Sequence, residues 1–105
     1  MLIKETEVFC RRIQRLLDAE SYRFLQLRLA ADPEAGPLIP GTGGLRKMRW
    51  GGSGRGKRGG IRVVYYWSGV TDTILLLMVF AKNEQSDLSR EQRAVLRRIV
   101  DEEYK

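Results

Sequence analysis

The run Thr73–Ala81, TILLLMVFA, constrains the fold more than any other stretch: it carries no charge and is apolar at almost every position. A strand with one solvated face alternates apolar and polar residues. This one does not alternate, so it belongs at the centre of a sheet with both faces covered; a short buried helix is the competing reading. Two more segments look like strands, Leu45–Trp50 (LRKMRW) and Ile61–Trp67 (IRVVYYW), the second rich in β-branched and aromatic residues. A glycine-rich stretch joins these two, and SGVTD leads tightly into Thr73. Connections so short predict an antiparallel meander. Leu2 and Ile3 are a possible short N-terminal strand.

Helical periodicity frames this sheet. Val8, Phe9, Ile13, Leu16 and Leu17 form one stripe between Thr6 and Leu17, with Arg11, Arg12 and Arg15 opposite. A second helix is predicted from Ser21 to Ala31, with Tyr22, Leu25 and Leu29 inward, started by Ser21 and stopped by Asp32-Pro33. The turn-rich EAGPLIPGTGG follows. Ser89 with Gln92 three residues on is a capping box for a last helix, Arg90 to about Tyr104, with Val95, Leu96, Ile99, Val100 and Tyr104 toward the sheet. The expectation is one α+β domain over residues 1–105, a small antiparallel sheet with two N-terminal helices and one C-terminal helix packed on one side.

Charge is distributed unevenly. The net charge is +6. Between Ala35 and Thr71 there is no Asp or Glu, yet Arg46, Lys47, Arg49, Arg55, Lys57, Arg58 and Arg62 all fall there. Outside that window the two signs nearly cancel. All 11 glycines lie between Gly36 and Gly69 as well. A basic, acid-free, glycine-rich segment predicts a polyanion partner. One cysteine, Cys10, excludes an internal disulfide and fits a reducing, cytoplasmic location. With no histidine, a transition-metal site is not expected. No apolar run is long enough to span a membrane, so no membrane partner is expected.

Within that segment GGSGRGKRGG matches two phosphate-loop patterns, G-x-x-x-x-G-K from Gly51 and G-x-G-x-x-G from Gly54. Both motifs must open a helix, and the first needs Ser or Thr after its lysine. Here Arg58 follows Lys57, and the loop opens into a strand. Both matches fail on context, and no nucleotide cofactor is expected. The loop is a cationic connection in which Arg55, Lys57 and Arg58 can meet RNA phosphates. Alternation then sorts the strands. Met48 and Trp50 join Val63, Tyr65 and Trp67 as core, while Lys47, Arg49, Arg62 and Tyr66 project from an open face. Cations with an aromatic ring suit single-stranded RNA.

PGTGGLRKMRW, GRGKRGGIRVVYY and FAKNEQSDLS, in this order, resemble the RelE superfamily of toxin nucleases, in particular the HigB-like branch of bacterial toxin–antitoxin modules. The resemblance implies a microbial RNase-like α+β fold and a ribosome-dependent mRNA interferase without a cofactor. It also implies a cognate, HigA-like antitoxin as partner, besides the ribosome and mRNA. It places Lys47 and Arg49 on the two basic positions of the family's first long strand and Arg62 on its phosphate-binding arginine. Arg46 joins the RNA-binding set with Arg55, Lys57, Arg58 and Tyr66. Where such toxins carry an arginine after the last strand, this chain offers Lys82 or Asn83. Where they carry a tyrosine soon after, it has Ser89, which leaves Tyr66 or Tyr104 to replace that ring.

The chemistry expected of these residues is attack of a 2′-OH on the adjacent phosphate, giving a 2′,3′-cyclic phosphate and a 5′-OH. Without imidazole, the base must come from poorer groups. A lysine crowded by like charges titrates lower, which makes Lys47 the candidate base beside Arg49 and Arg62. The two arginines would stabilise the phosphorane, and Lys82 would protonate the leaving oxygen. Cys10 reads as a packing residue or idle thiol, and Glu84 and Asp87 as local salt bridges. A non-catalytic RNA- or ribosome-binding module is the alternative function. A DNA-binding regulator is weaker still, because no helix reads as cation-rich on one groove-facing surface.

Overall fold

The computed structural model describes residues 1–51 and 60–105. Its elements are β1 (Leu2–Glu5), α1 (Glu7–Leu16), α2 (Ala19–Ala31), β2 (Leu45–Trp50), β3 (Ile61–Ser68), β4 (Thr73–Ala81) and α3 (Arg90–Tyr104). They form one four-stranded sheet in the order β1-β4-β3-β2. The β2–β3 and β3–β4 pairs are antiparallel, as the short connections require. The N-terminal strand pairs parallel to β4, with Leu2 opposite Thr73, so the sheet is mixed rather than purely antiparallel. Two helices and two strands separate β1 from β4 in sequence, so no hairpin turn dictates their direction.

The helices do not lie on one side, contrary to the sequence expectation. On one face α1 and α2 bury Phe9, Ile13, Leu25 and Leu29 against Met48, Val63, Tyr65, Ile74, Leu76 and Val79. On the other, α3 buries Leu96 and Val100 against Leu45, Val64, Leu75, Leu77, Met78 and Phe80. The physical reason is β4 itself, whose residues are buried on both faces. Its register slips against β3: Val64 pairs with Met78 but Tyr65 with Leu76, leaving Leu77 as the extra residue of a bulge. Val8 and Val95, expected inward, are partly exposed.

Capping fixes the helix starts. Thr6 accepts a hydrogen bond from Phe9 N, and Ser89 with Gln92 forms the full capping box. The second helix starts earlier than expected, because Asp18 rather than Ser21 is its cap; the Asp18 carboxylate accepts from Ser21 N at 2.8 Å.

The edge of β4 beyond β1 and the outer edge of β2 are both occupied. Beyond the end of β1, Thr6 Oγ1 donates to Leu77 O at 2.8 Å and Arg12 Nε to Val79 O at 2.7 Å, so the outer edge of β4 is occupied. Along β2, Lys47 N donates to Pro37 O and Ile39 N to Leu45 O, which docks the 36–39 segment on the outer strand. Buried Tyr65 holds that segment's approach: its hydroxyl donates to Pro33 O at 2.8 Å and accepts from Gly36 N at 2.9 Å. Burial raises the Tyr65 pKa above the ordinary tyrosine value, which keeps the donor protonated. Gly36 suits the close approach, since a Cβ there would come within 3.1 Å of the Lys47 carbonyl and the neighbouring backbone would have to give.

Tyr65→Phe keeps the ring's packing but strands Pro33 O and Gly36 N–H without partners. Leaving a buried polar group unsatisfied costs about 1–3 kcal/mol. Urea unfolding should show that loss with an unchanged slope. Wild-type stability in the variant would mean that the hydroxyl does not anchor the segment.

Candidate nucleic-acid interface

The pairing of β2 with β3 builds the site. Arg49 lies directly opposite Arg62, and Lys47 opposite Val64. Cross-strand partners point to the same face, so Lys47, Arg49 and Arg62 share one, as alternation predicts. Two arginines directly opposite each other repel. Among the described residues neither makes an ion pair, and residues 52–59 contain no carboxylate.

Among the described residues this face is open only at one corner. Its other end, Leu45, Val64 and Tyr66, lies under α3. At the corner a cleft of about 690 Å³ wraps the β2 edge, lined by Arg28, Lys47, Arg49, Arg62 and Lys82 together with Met48, Trp50 and Ser86. No described residue lining it is acidic. Lys82 is placed by the end of β4, where its backbone N–H donates to Gly60 O. Gly60 closes the strand pair with a φ of +47°, and a Cβ there would meet Trp50 O at 2.8 Å. Only glycine fits that position without strain.

One carboxylate reaches the corner from outside the cleft lining. Lys47 Nζ donates to Asp87 Oδ1 at 2.9 Å, Leu88 N donates to the same oxygen at 2.8 Å, and Arg93 Nη2 lies 3.5 Å from Oδ2. The Lys47 hydrogen bond is the largest influence holding the Asp87 carboxyl below its usual range. Lys47 is therefore not a lone cation among cations: it has an acidic partner that the sequence expectation did not include. Glu84 likewise serves structure: the Ala81 N–H and Arg12 hold its pKa down, and Arg12 Nη2 reaches it at 2.8 Å.

The remaining sequence candidates separate. Lys82, Arg49, Arg62 and Lys47 meet at the cleft. Arg46 does not: it lies on the other face and spends its guanidinium on Gly36 O at 2.8 Å and on Glu34. Tyr66 is not a free stacking ring either. Tyr104 packs on it with centroids 5.4 Å apart, and Lys105 Nζ sits 5.7 Å from its centroid. The two candidate replacement rings are thus spent on each other, and Ser89 is spent as a cap. Arg55, Lys57 and Arg58 lie outside the described residues. Glu5 raises the pKa of the Cys10 thiol, which argues against a nucleophile there.

Some contributors escaped sequence reasoning. Arg28 comes from α2, before the acid-free window, and Ser86 has no pattern that marks it. The helix α3 is also richer in cations than expected: Arg90, Arg93, Arg97 and Arg98 line a groove with the Pro40–Thr42 turn.

No family model matches the chain. Solved structures share its architecture. The isolated E. coli RelE toxin aligns over 93% of this chain and 97% of its own length at 16% identity, with a TM-score of 0.59. The toxin–antitoxin complex RelBE of E. coli aligns over 74% of this chain and 92% of the matched chain, at 16% identity and a TM-score of 0.57. The archaeal RelE–RelB complex from Pyrococcus horikoshii gives 23% identity over 80% of this chain and 97% of the matched one, with a TM-score of 0.53. The chain has the RelE fold. A RelE fold with a mixed four-stranded sheet and three helices therefore carries the cationic corner. No helix among the described residues is long and apolar enough to cross a membrane.

The Asp87 pairing has a pH consequence. A carboxyl whose folded-state pKa is depressed stabilises the fold fully above its unfolded value, about 3.9, and loses that contribution as pH falls through the folded value. Asp87→Asn should therefore be less stable than wild type at pH 7, with the difference closing below about pH 4. Urea unfolding between pH 7 and pH 2 checks this. A difference independent of pH would mean that the ionised pair with Lys47 is not what Asp87 contributes.

Proposed function

We propose that this protein is the toxin of a toxin–antitoxin module, of the HigB-like branch, acting as a ribosome-dependent mRNA endonuclease. One observation carries the proposal: Arg49 and Arg62 stand opposite each other at a cleft whose described lining holds no acidic residue and which Lys47 and Lys82 also line. The RelE fold supports it, since solved structures of that fold include a toxin and toxin–antitoxin complexes. In this account RNA enters the cleft and its phosphates take up the charge that the two arginines leave unbalanced.

Cleavage proceeds by attack of the 2′-OH on the adjacent phosphorus, with departure of the 5′-oxygen and formation of a 2′,3′-cyclic phosphate. Arg49 and Arg62, as fixed cations on paired strands, stabilise the phosphorane. Lys82, exposed at the end of β4, supplies the proton to the leaving oxygen, and the proton of the attacking 2′-OH passes to solvent water, which returns one to Lys82. Lys47, held by Asp87, contributes charge and position rather than a strong base. A site so poor in acid–base groups relies on substrate alignment, which the ribosomal A site supplies. A cognate, HigA-like antitoxin inhibits the enzyme by occupying the basic surface, and the whole system works in the cytoplasm, where translation occurs.

The Lys47–Asp87 ion pair also favours a second reading, a non-catalytic RNA- or ribosome-binding module, because it engages the candidate base in a structural contact. Cleavage on programmed ribosomes separates the two. Wild type should cut A-site mRNA to cyclic-phosphate and 5′-OH ends. Arg62→Ala should lose about 10²–10³ in rate, the usual effect of one electrostatic donor. Its stability should not fall, because the change removes one of two opposed like charges. Wild type that binds ribosomes without cutting would establish the binding module, and an Arg62→Ala variant as fast as wild type would place the chemistry elsewhere.

A further inference from the structure

The groove along α3 is a second cationic surface, and the cleft chemistry does not use it. Arg90, Arg93 and Arg97 recur at i, i+3 and i+7, so they share one face of the helix over roughly 10 Å of its length. With Arg98 and the Pro40–Thr42 turn they line a groove of about 590 Å³ in which the one carboxylate is Asp101. The lining also includes Gly41 and Ala94, whose small size leaves room for a chain to lie against them.

The arginines are under-compensated. Arg97 Nε is 3.9 Å from Asp101, and its Nη1 reaches Gly41 O at 3.4 Å, both long contacts. Arg93 leans on Asp87 at 3.5 Å, while its buried Nε has no hydrogen-bond partner among the described residues. Arg90 and Arg98 make no ion pair among the described residues. The groove also touches the cleft. Asp87 is shared between Lys47 of the cleft and Arg93 of the groove, so a single carboxylate separates two cationic surfaces.

We propose that the α3 groove binds the phosphodiester backbone of RNA that extends from the cleft, so that the two surfaces form one track holding a longer strand than the cleft alone. This rests on the assignment of the cleft to RNA. Guanidinium groups on a helix face, spaced along the strand and lacking aromatic neighbours for stacking, fit phosphates rather than bases. Binding is therefore insensitive to sequence in the groove, and length-dependent.

The test uses the intact chain and fluorescein-labelled single-stranded RNAs of four and twelve nucleotides, with affinity measured by anisotropy across a salt series. The longer RNA should bind wild type with the steeper salt dependence. Arg90→Gln/Arg98→Gln should weaken only the longer RNA and lower its log–log salt slope by about 1.4, at about 0.7 for each phosphate no longer neutralised. Arg49→Gln/Arg62→Gln should weaken both RNAs. Circular dichroism and urea unfolding show that each variant is folded. If Arg90→Gln/Arg98→Gln leaves the longer RNA's affinity and slope unchanged, the groove is not part of the track. If wild type binds neither RNA at low salt, the assignment of the cleft to RNA fails and takes the track with it. A polyglutamate peptide that binds wild type in an Arg90- and Arg98-dependent way, while the longer RNA does not, would reassign the groove to an acidic protein segment.

Discussion

A strand that is apolar on both faces is stable only when both are covered, and β4 imposes that condition on everything around it. Its α1/α2 side takes Ile74, Leu76 and Val79, and its α3 side takes Leu75, Leu77, Met78 and Phe80. Strict alternation could not divide the residues this way; the extra residue at Leu77 does. Each large side chain fully buried in this way contributes about 1.5–3 kcal/mol relative to exposure. The sandwich that results fixes β3 beside β4, and with it the position of Arg62, which pairs with Phe80 on one side and Arg49 on the other.

The cationic corner exists because α3 covers the sheet incompletely. Over Leu45, Val64 and Tyr66 the helix supplies apolar cover, and at Lys47 only the segment before it arrives, carrying Asp87. From there to Gly60 the face belongs to arginines whose repulsion nothing among the described residues offsets. Such an arrangement raises the free energy of the isolated protein, and an incoming polyanion relieves it. The strands keep these cations in place before any ligand comes, which is what electrostatic stabilisation of a developing charge requires.

Much of this was legible in the sequence, and the parts that were not have identifiable causes. The strands β2 and β4, and α3 with its capping box, were readable because their patterns are local: alternation, an unbroken apolar run, Ser89 and Gln92. Lys47, Arg49 and Arg62 were placed on one face by period alone. The bulge was hidden because every residue near Leu77 is apolar, so a slip of one position leaves no trace in the pattern. Asp18 was passed over for Ser21 because both are good caps and only geometry decides between them. Asp87 was recognisable as a salt-bridge former, but not as the partner of a residue 40 positions away. Tyr66 alternated onto the open face as expected, and only the position of Tyr104 shows that its ring is occupied.

The residues at the corner also bear on how any reaction there must be driven. One fixed electrostatic donor is typically worth about 10²–10³ in rate, and a cluster acts as a unit rather than as independent factors. With no histidine in the chain and the Asp87 carboxyl held low, the proposed reaction has few groups suited to proton transfer at neutral pH. The larger gain open to such a site is orientation of the 2′-OH in line with the phosphorus, where effective molarities reach about 10⁵–10⁸ M. Orientation needs the nucleotides on both sides of the scissile bond to be held. Under the proposed endonuclease reading, a chain with these residues gains most when its RNA arrives already aligned, which is what a large RNA-presenting partner would supply.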